Sequence, residues 1–514
     1  MRTEAVSVGG IGGVRRQAAL VLATLVVCVS AALGQVRDRW YMLLLDGAHA
    51  GWMHEQTDEQ DEIIITKSLM HLRLKRDAAD MTIEIESEFH ETISGEALLA
   101  RVRQQMGAAP MQVTYRFVGD QIVMESPGPG DTIVTTHTAR PEGVWLTPAA
   151  ASRYLRERLA AGATEITART LEPMTGLAPV TVTYRSIRRT TSEFQGRPVR
   201  GFSCLSETTA SPGLVMEHVL AEDGTIIRTM TAIGSMSFVM LAADREVAQA
   251  AAEAPELMVR SFVKPDRRVP RARDTVRGTY LLHIPDSEAI EIPSVGAQRV
   301  RVIAPDRVEV DVDVHRRAAE SVDEALRARA LASTAMLRCD DEAIVALARK
   351  AVTRARAHTA AERAEALRRE VYRHIRHKDL GVGFASASEV VRTRQGDCSE
   401  HAVLLAAMLR AEGIPSRIAA GIVYVDEFAG ERHIFGYHMW TQALLNENGQ
   451  EAWVDLDAAI DAAKAYDATH ITLDVSTLGD DETIGKMTGM VQVFGRLRIE
   501  VLGVEHAAHV DAAR

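Results

Sequence analysis

The chain is short of aromatic residues, of cysteine and of basic charge, and each shortage removes a class of function. Phe, Tyr and Trp make up only 5% of its 514 residues, too little for rows of base-stacking rings. A formal net charge of −11 argues against a surface built to grip phosphates, so no nucleic-acid partner is expected. Four cysteines are too few for a disulfide scaffold or a Cys-rich metal module. After residue 34 no run is long and apolar enough to span a bilayer as a helix. What remains is ordinary globular material, 46% hydrophobic and 25% charged, without low-complexity tracts. Its length suits about three domains.

Residues 1–34 have the layout of a secretory signal peptide. Arg2, Arg15 and Arg16 precede an uncharged apolar stretch from Ala18 to Leu33, and Ala32-Leu33-Gly34 sets small residues at a cleavage point after Gly34. The alternative is an uncleaved anchor, which would tie the chain to a membrane through this segment alone. Either reading exports the rest of the chain to the periplasm or beyond.

Residues 39–260 read as one mostly antiparallel β domain. Met81-Thr-Ile83-Glu-Ile85-Glu-Ser87-Glu-Phe89 and Val180-Thr-Val182-Thr-Tyr184 alternate apolar and polar side chains, as half-buried strands do. Asp223-Gly224 signals a hairpin turn. One helix interrupts the strands, with Thr147 as its cap, Pro148 in its first turn and Gly162 as its stop. This domain carries no catalytic constellation, and its role stays open. Residues 261–275, with Lys264, Arg267, Arg268, Arg271 and Arg273 around Pro265 and Pro270, read as a solvated basic linker. Residues 276–314 form a small β module. Residues 315–505 run helices first and then strands, an α+β order. Thr359-Ala-Ala-Glu362 is a capping box, and Ala364, Leu367, Val371 and Ile375 share one face of the helix it starts.

The stretch that carries chemistry is Gln395-Gly396-Asp397-Cys398-Ser399-Glu400-His401. Asp397 and Glu400 are spaced to cap a helix that begins at Cys398, and Gly413 with Pro415 ends it. A cysteine at a helix N-terminus meets unpaired N–H groups and the positive end of the macrodipole, which favour its thiolate. The same N–H groups can hold an oxyanion. His438 opens an alternating run, and Trp453-Val-Asp455-Leu-Asp457 reads as the next strand after an Asn448-Gly449 turn. Two adjacent antiparallel strands can bring an imidazole and a carboxylate together. Asp455 and Asp457 share a strand face, so periodicity does not choose between them. His401 and His433 are rival bases; His401, on the cysteine's own helix, reads as a packing or surface residue.

In order along the chain, these contexts resemble the transglutaminase-like superfamily, whose core is papain-like. The resemblance runs from about Glu362 to Asp457. It rests on Ser386-Ala-Ser-Glu-Val390, Gly396-Asp397-Cys398-Ser399-Glu400-His401, Leu409-Arg410-Ala-Glu-Gly413-Ile414-Pro415-Ser-Arg417, Gly421-Ile-Val-Tyr424, His438-Met-Trp440 and Trp453-Val-Asp-Leu-Asp457. It implies an α+β fold with helices packed on an antiparallel sheet, Cys398 as nucleophile, His438 as general base and acid, and Asp457 as the residue orienting His438. The family often has proline after this aspartate; here Ala458 follows. His470 resembles a recurrent tail element of bacterial members and reads as structural.

The implied reaction is acyl transfer at an amide of a peptide or protein. Similarity to exported bacterial members implies hydrolysis. Cross-linking to an amine is the alternative, and a non-catalytic cell-envelope binding or assembly role is a third reading. No cofactor is expected. No Cys-x-x-Cys or His-x-x-x-His pair suggests zinc, and no EF-hand-like loop suggests calcium. Cys204 and Cys339 read as two buried thiols without the framing of a disulfide.

Overall fold

The computed structural model describes residues 37–507, apart from 77–78, 106–109, 128–131, 172–177, 212, 234–235, 257–258, 285–291, 379–384, 448, 461–462 and 480–494. The signal-like segment and Cys28 lie outside the described residues. Among the described residues no helix is long and apolar enough to cross a membrane. The chain divides into two units, described residues up to Glu256 in one and from Val259 in the other.

The first unit is built on a 14-stranded antiparallel sheet. Two meanders meet where Arg37–Leu45 pairs with Met236–Ala243, in register from Trp40 opposite Ala243 to Leu45 opposite Phe238. One meander runs outward to the edge strand Ile133–Ala139 and the other to Ile166–Thr170. Leu146, beyond the first edge, exchanges backbone hydrogen bonds with Arg169 and Leu171 at the other edge, at 2.8 and 3.0 Å. The chain thus stitches one edge of the sheet towards the other and protects it from further pairing. The alternating segments lie where expected: Met81, Ile83, Ile85 and Phe89 are buried within Ala79–Thr92, as are Val180, Val182 and Tyr184 within Val180–Phe194. Asp223-Gly224 forms the turn between Met216–Ala221 and Ile226–Ile233, with Gly224 at φ +80°.

The helix Pro148–Ala160 starts after Thr147 as the sequence suggests, but Thr147 does not cap it with its own side chain. Buried Glu91, from the strand Ala79–Thr92, takes that place. Its carboxylate accepts from Thr147 Oγ1 at 2.6 Å and from the N–H groups of Ala149 and Ala150 at 2.9 and 3.1 Å. Burial pushes the Glu91 carboxyl up, and these donors pull it only part of the way back. Glu91→Ala would leave those donors unmatched around a cavity. We expect it to cost the first unit about 2–3 kcal/mol, read as an earlier transition in urea. An unchanged transition would show that the cap contributes nothing.

The second unit is α+β, as expected. Thr275–His283, Gln298–Ala304 and Arg307–Asp313 form one antiparallel sheet, and a fourth strand, Arg498–His506, completes it from much later in the chain. The stretch expected to be a solvated linker is bonded into this unit instead. Val263 pairs with Phe435 in both directions, Asp266 Oδ1 accepts from Val501 N at 2.7 Å, and Arg273 ion-pairs with Asp467 at 2.7 Å. Its prolines and charges do break regular structure. The partners that hold it are remote in sequence, which composition cannot reveal. A second antiparallel sheet runs Gln450–Leu456, Glu431–Glu447, Ser416–Phe428 and His470–Ser476. Cys204 is buried and Cys339 half-buried, and neither forms a disulfide.

The centre of this unit is the helix Cys398–Ala411. Helices Glu342–Ala355, Ala360–His374 and Ala387–Thr393 pack around it, with the strands Ser416–Phe428 and Glu431–Glu447 against its remaining side. Every residue from Cys398 to Arg410 is therefore buried, which is why the run reads apolar almost all round. Arg410 answers backbone carbonyls at the closed end, donating to Ala332, Ser416 and Thr477 at 2.6, 2.9 and 2.6 Å.

Candidate active site

Cys398 is the first residue of the central helix. Asp397 Oδ1 accepts from Ser399 N at 3.0 Å, and Glu400 Oε2 accepts from Asp397 N at 2.9 Å, completing the capping box. Glu400 Oε1 also accepts from Ala385 N at 2.8 Å and so ties the cap to the preceding helix. Gly396 makes this packing feasible. Its φ is +143°, and a Cβ there would lie 2.3 Å from the Cβ and Cγ of Glu400.

Burial and the neighbouring Asp397 push the Glu400 carboxyl up to about 8. A protonated Glu400 can donate to Ser399 Oγ, 3.1 Å away, while Ser399 Oγ donates to Asp397 Oδ1 at 2.9 Å. A carboxyl raised above its unfolded value of about 4.3 contributes fully below that pH, and the contribution is lost as pH rises towards 8. We therefore expect the unfolding temperature of the second unit to fall between pH 5 and pH 9. Glu400→Gln should start lower, because its amide cannot accept from both N–H groups, and should fall less steeply. A variant that matches the wild-type slope would contradict this assignment.

His438 lies in the strand Glu431–Glu447, which packs against the Cys398 helix; Thr441 Oγ1 donates to Ala402 O at 2.9 Å across that contact. Asp457 follows the neighbouring strand, Gln450–Leu456. His438 Nε2 donates to Asp457 Oδ2 at 2.8 Å, and His438 Nδ1 is buried with no hydrogen-bond partner. Asp457 is held on every side: Oδ1 accepts from Ala459 N at 2.7 Å, and its carbonyl accepts from Arg368 Nη1 at 3.0 Å. Burial alone would raise the Asp457 carboxyl, but the charge and hydrogen bonds of His438 and His470 hold it well below the usual range. The choice between the two strand-face carboxylates is thereby made. Asp455 Oδ1 accepts from Trp440 Nε1 at 2.9 Å and Gln442 Nε2 at 2.7 Å, and Oδ2 accepts from Ala297 N at 2.8 Å. It braces the strand pair and leaves His438 to Asp457.

Residues 345–458 match the family described as the transglutaminase-like superfamily. This part of the chain is a transglutaminase-like core. The matched range contains Cys398, His438 and Asp457 and ends one residue after the last of them. No curated protein matches the chain. Among the solved structures that resemble it are the following three. One is a β-barrel-like protein of a domain of unknown function from Brucella abortus, at 12% identity and TM-score 0.33, covering 41% of this chain and 96% of that one. Another is a candidate cysteine protease from Cytophaga hutchinsonii, at 14% and 0.26, covering 45% and 86%. The third is a candidate protease from Parabacteroides distasonis, at 10% and 0.18, covering 72% and 69%.

Three other histidines of the second unit separate by their partners. His401 Nδ1 donates to Asp397 O at 2.5 Å inside the helix, and burial with the nearby Lys378 pushes this imidazole down to about 4, so it stays neutral. It is a packing residue rather than a surface one. His433 is half-buried, 3.2 Å from Tyr424 Oη and 3.6 Å from Asp426, away from the Asp457 carboxylate. His470 reaches that carboxylate directly: Nε2 donates to Asp457 Oδ2 at 3.1 Å. Burial alone would lower His470, but Asp467 and Asp457 outweigh it and push it up to about 9.

Donor atoms of His438, Asp457 and His470 all lie within 4.8 Å of one another, close enough to consider a metal ion. Both imidazoles lie at hydrogen-bond distance from one oxygen, 2.8 and 3.1 Å, and His470 Nδ1 faces the Asp467 carbonyl, so these contacts fit a hydrogen-bonded relay. Arg368, Arg273, Asp467 and the His470 contact were not found from the sequence. Arg368 sits one residue from the apolar stripe of its helix and reads as a surface charge until the packed strand supplies a carbonyl.

Proposed function

We propose that the transglutaminase-like core is a cysteine acyl-transfer enzyme that hydrolyses amide bonds of peptides or proteins. The observation that carries this reading is the state of His438. Its Nε2–H is committed to Asp457, so the buried Nδ1 keeps an unspent lone pair in the unit whose central helix starts at Cys398. A base held in one tautomer by a carboxylate is what a thiol nucleophile requires.

In this mechanism His438 Nδ1 takes the Cys398 proton. The thiolate then adds to the amide carbonyl, and the positive end of the helix dipole stabilises the oxyanion. Collapse breaks the C–N bond, and the proton on Nδ1 passes to the departing amine. A thioester remains on Cys398. Water, deprotonated by the same Nδ1, adds to the thioester; the acid leaves, and the thiolate recovers the proton. An amine in place of water would give a cross-link. Export through the residue 1–34 segment would place this chemistry on peptides or proteins of the cell envelope.

The test is a substrate panel of peptides and glutamine donors, scored separately for new N-termini, released ammonia and incorporated amine. The reading expects new acids without amine incorporation, lost in Cys398→Ala. Amine incorporation in excess of hydrolysis would favour cross-linking. No turnover by a folded wild type on any arm would favour a non-catalytic envelope role.

A further inference from the structure

The charged cluster behind His438 is larger than a triad needs. Asp457 Oδ2 accepts from two imidazoles, His438 at 2.8 Å and His470 at 3.1 Å. The second of these is fully buried, and its Nδ1 lies 3.0 Å from Asp467 O and 3.5 Å from Asp467 Oδ1. Asp467 is in turn paired with Arg273 at 2.7 Å. Both nitrogens of His470 thus face acceptors only, and an imidazole that donates from both is a cation. Aromatic rings complete its surroundings: Trp440 edge-on at 5.2 Å and Tyr466 at 4.5 Å between centroids.

We propose that His470 is a positioning residue of the site, a fixed buried cation that shares Asp457 with His438 and offsets part of that carboxylate's charge. The inference rests on the acyl-transfer reading above and deepens it. A general acid must release its proton to the departing amine as well as take one. A buried carboxylate facing His438 alone would hold that proton tightly. The His470 ring lies 5.7 Å from the His438 ring, so a positive charge on the one opposes a second on the other.

Other charged or titratable groups near the pair do not hydrogen-bond the Asp457 carboxylate, although the Lys378 charge is felt there. Lys378 Nζ donates to Ala459 O, His401 is neutral, and Arg368 donates to the Asp457 carbonyl. Arg273 and Asp467 balance one another, and burial keeps Tyr280 and Tyr466 protonated. Among the described residues, His438 and His470 are the side chains that donate to the Asp457 carboxylate.

The test uses the full chain and two alkylating reagents, neutral iodoacetamide and anionic iodoacetate, with modification of Cys398 followed by peptide mass from pH 5 to 10. An imidazolium beside the thiolate favours the anionic reagent, and the preference fades as that proton leaves. Any slow opening of the buried site scales each reagent's rate at every pH and cancels from the midpoint. His470→Gln keeps a donor for Asp457 and removes the charge; its midpoint should lie about one pH unit above wild type. His470→Asn removes the same charge with a shorter side chain and should move the midpoint the same way, which keeps the test alive should His470→Gln not fold. An unmoved or lowered midpoint in either folded variant overturns the proposal and leaves His470 a brace. A wild-type Cys398 that alkylates only at the pH of an ordinary thiol overturns the acyl-transfer reading, and this inference with it.

Discussion

His438→Ala should abolish amide turnover, by roughly four orders of magnitude or more, while leaving the fold in place. The size of the effect follows from what the imidazole does twice in each turn of the proposed cycle. It removes a proton from the thiol and from water, and it returns one to the departing amine and to the thiolate. Among the described residues, His438 is the histidine of the matched range that donates to the Asp457 carboxylate. His401 spends Nδ1–H on the Asp397 carbonyl and has no carboxylate behind it, and His433 lies by Tyr424 and Asp426. The fold should survive because Asp457 keeps Ala459 N and His470 as donors. The measurement is steady-state turnover on whichever panel substrate wild type accepts, beside a far-UV spectrum of each protein. A folded His438→Ala that retains a tenth of wild-type turnover would remove this residue from the mechanism.

Asp457→Asn should be nearly as damaging, for a different reason. The native carboxylate is an acceptor only, so it fixes the His438 proton on Nε2 and leaves Nδ1 open. An asparagine amide that keeps its oxygen on Ala459 N puts its NH2 where the shared Oδ2 stood, facing both imidazoles. His438 must then carry its proton on Nδ1, where a thiol proton has to be received. The variant is nearly the same size and keeps hydrogen bonds to both rings, so the loss should appear in turnover at about 10⁴-fold with a modest effect on unfolding. Stability should respond to pH instead. Because the native Asp457 carboxyl is held well below its unfolded value of about 3.9, its contribution is complete above that pH and lost as pH falls through the folded value. Asp457→Asn should therefore unfold less steeply with acid than wild type. Equal acid dependence would mean that the Asp457 charge is not what the site is built on.

The local signals were readable because each is written in contiguous residues. Thr359 and Glu362 announce one helix start and Asp397 and Glu400 another, both with reciprocal caps in place. Alternation located Met81–Phe89 within its strand, and Asp223-Gly224 located a turn. Cys398, His438 and Asp457 were legible as a set because a helix start and two paired strands put their chemistry in order along the chain. What could not be read depends on pairings between distant residues. Glu91 replaces Thr147 as a helix cap from 56 residues away. Arg498–His506 completes a sheet begined by Thr275–His283, and no property of either strand names the other. The basic stretch around Arg273 has the composition of a linker, yet its arginine reaches a carboxylate whose neighbour His470 touches Asp457. Periodicity also left Asp455 and Asp457 equivalent, and only the positions of Trp440 and Gln442 separate them.

The claim on which the rest depends is that Cys398 is a nucleophile poised by His438, and the pH at which its alkylation by iodoacetamide half-rises tests it most directly. Opening of the buried site is read at each pH from hydrogen exchange of the Cys398–Ala411 amides and divided out, because the Glu400 titration changes it. The account predicts a midpoint at least about one and a half pH units below the value near 8.5 of a free thiol, returning towards that value in His438→Ala. A wild-type midpoint at about 8.5, unchanged by His438→Ala, would contradict it.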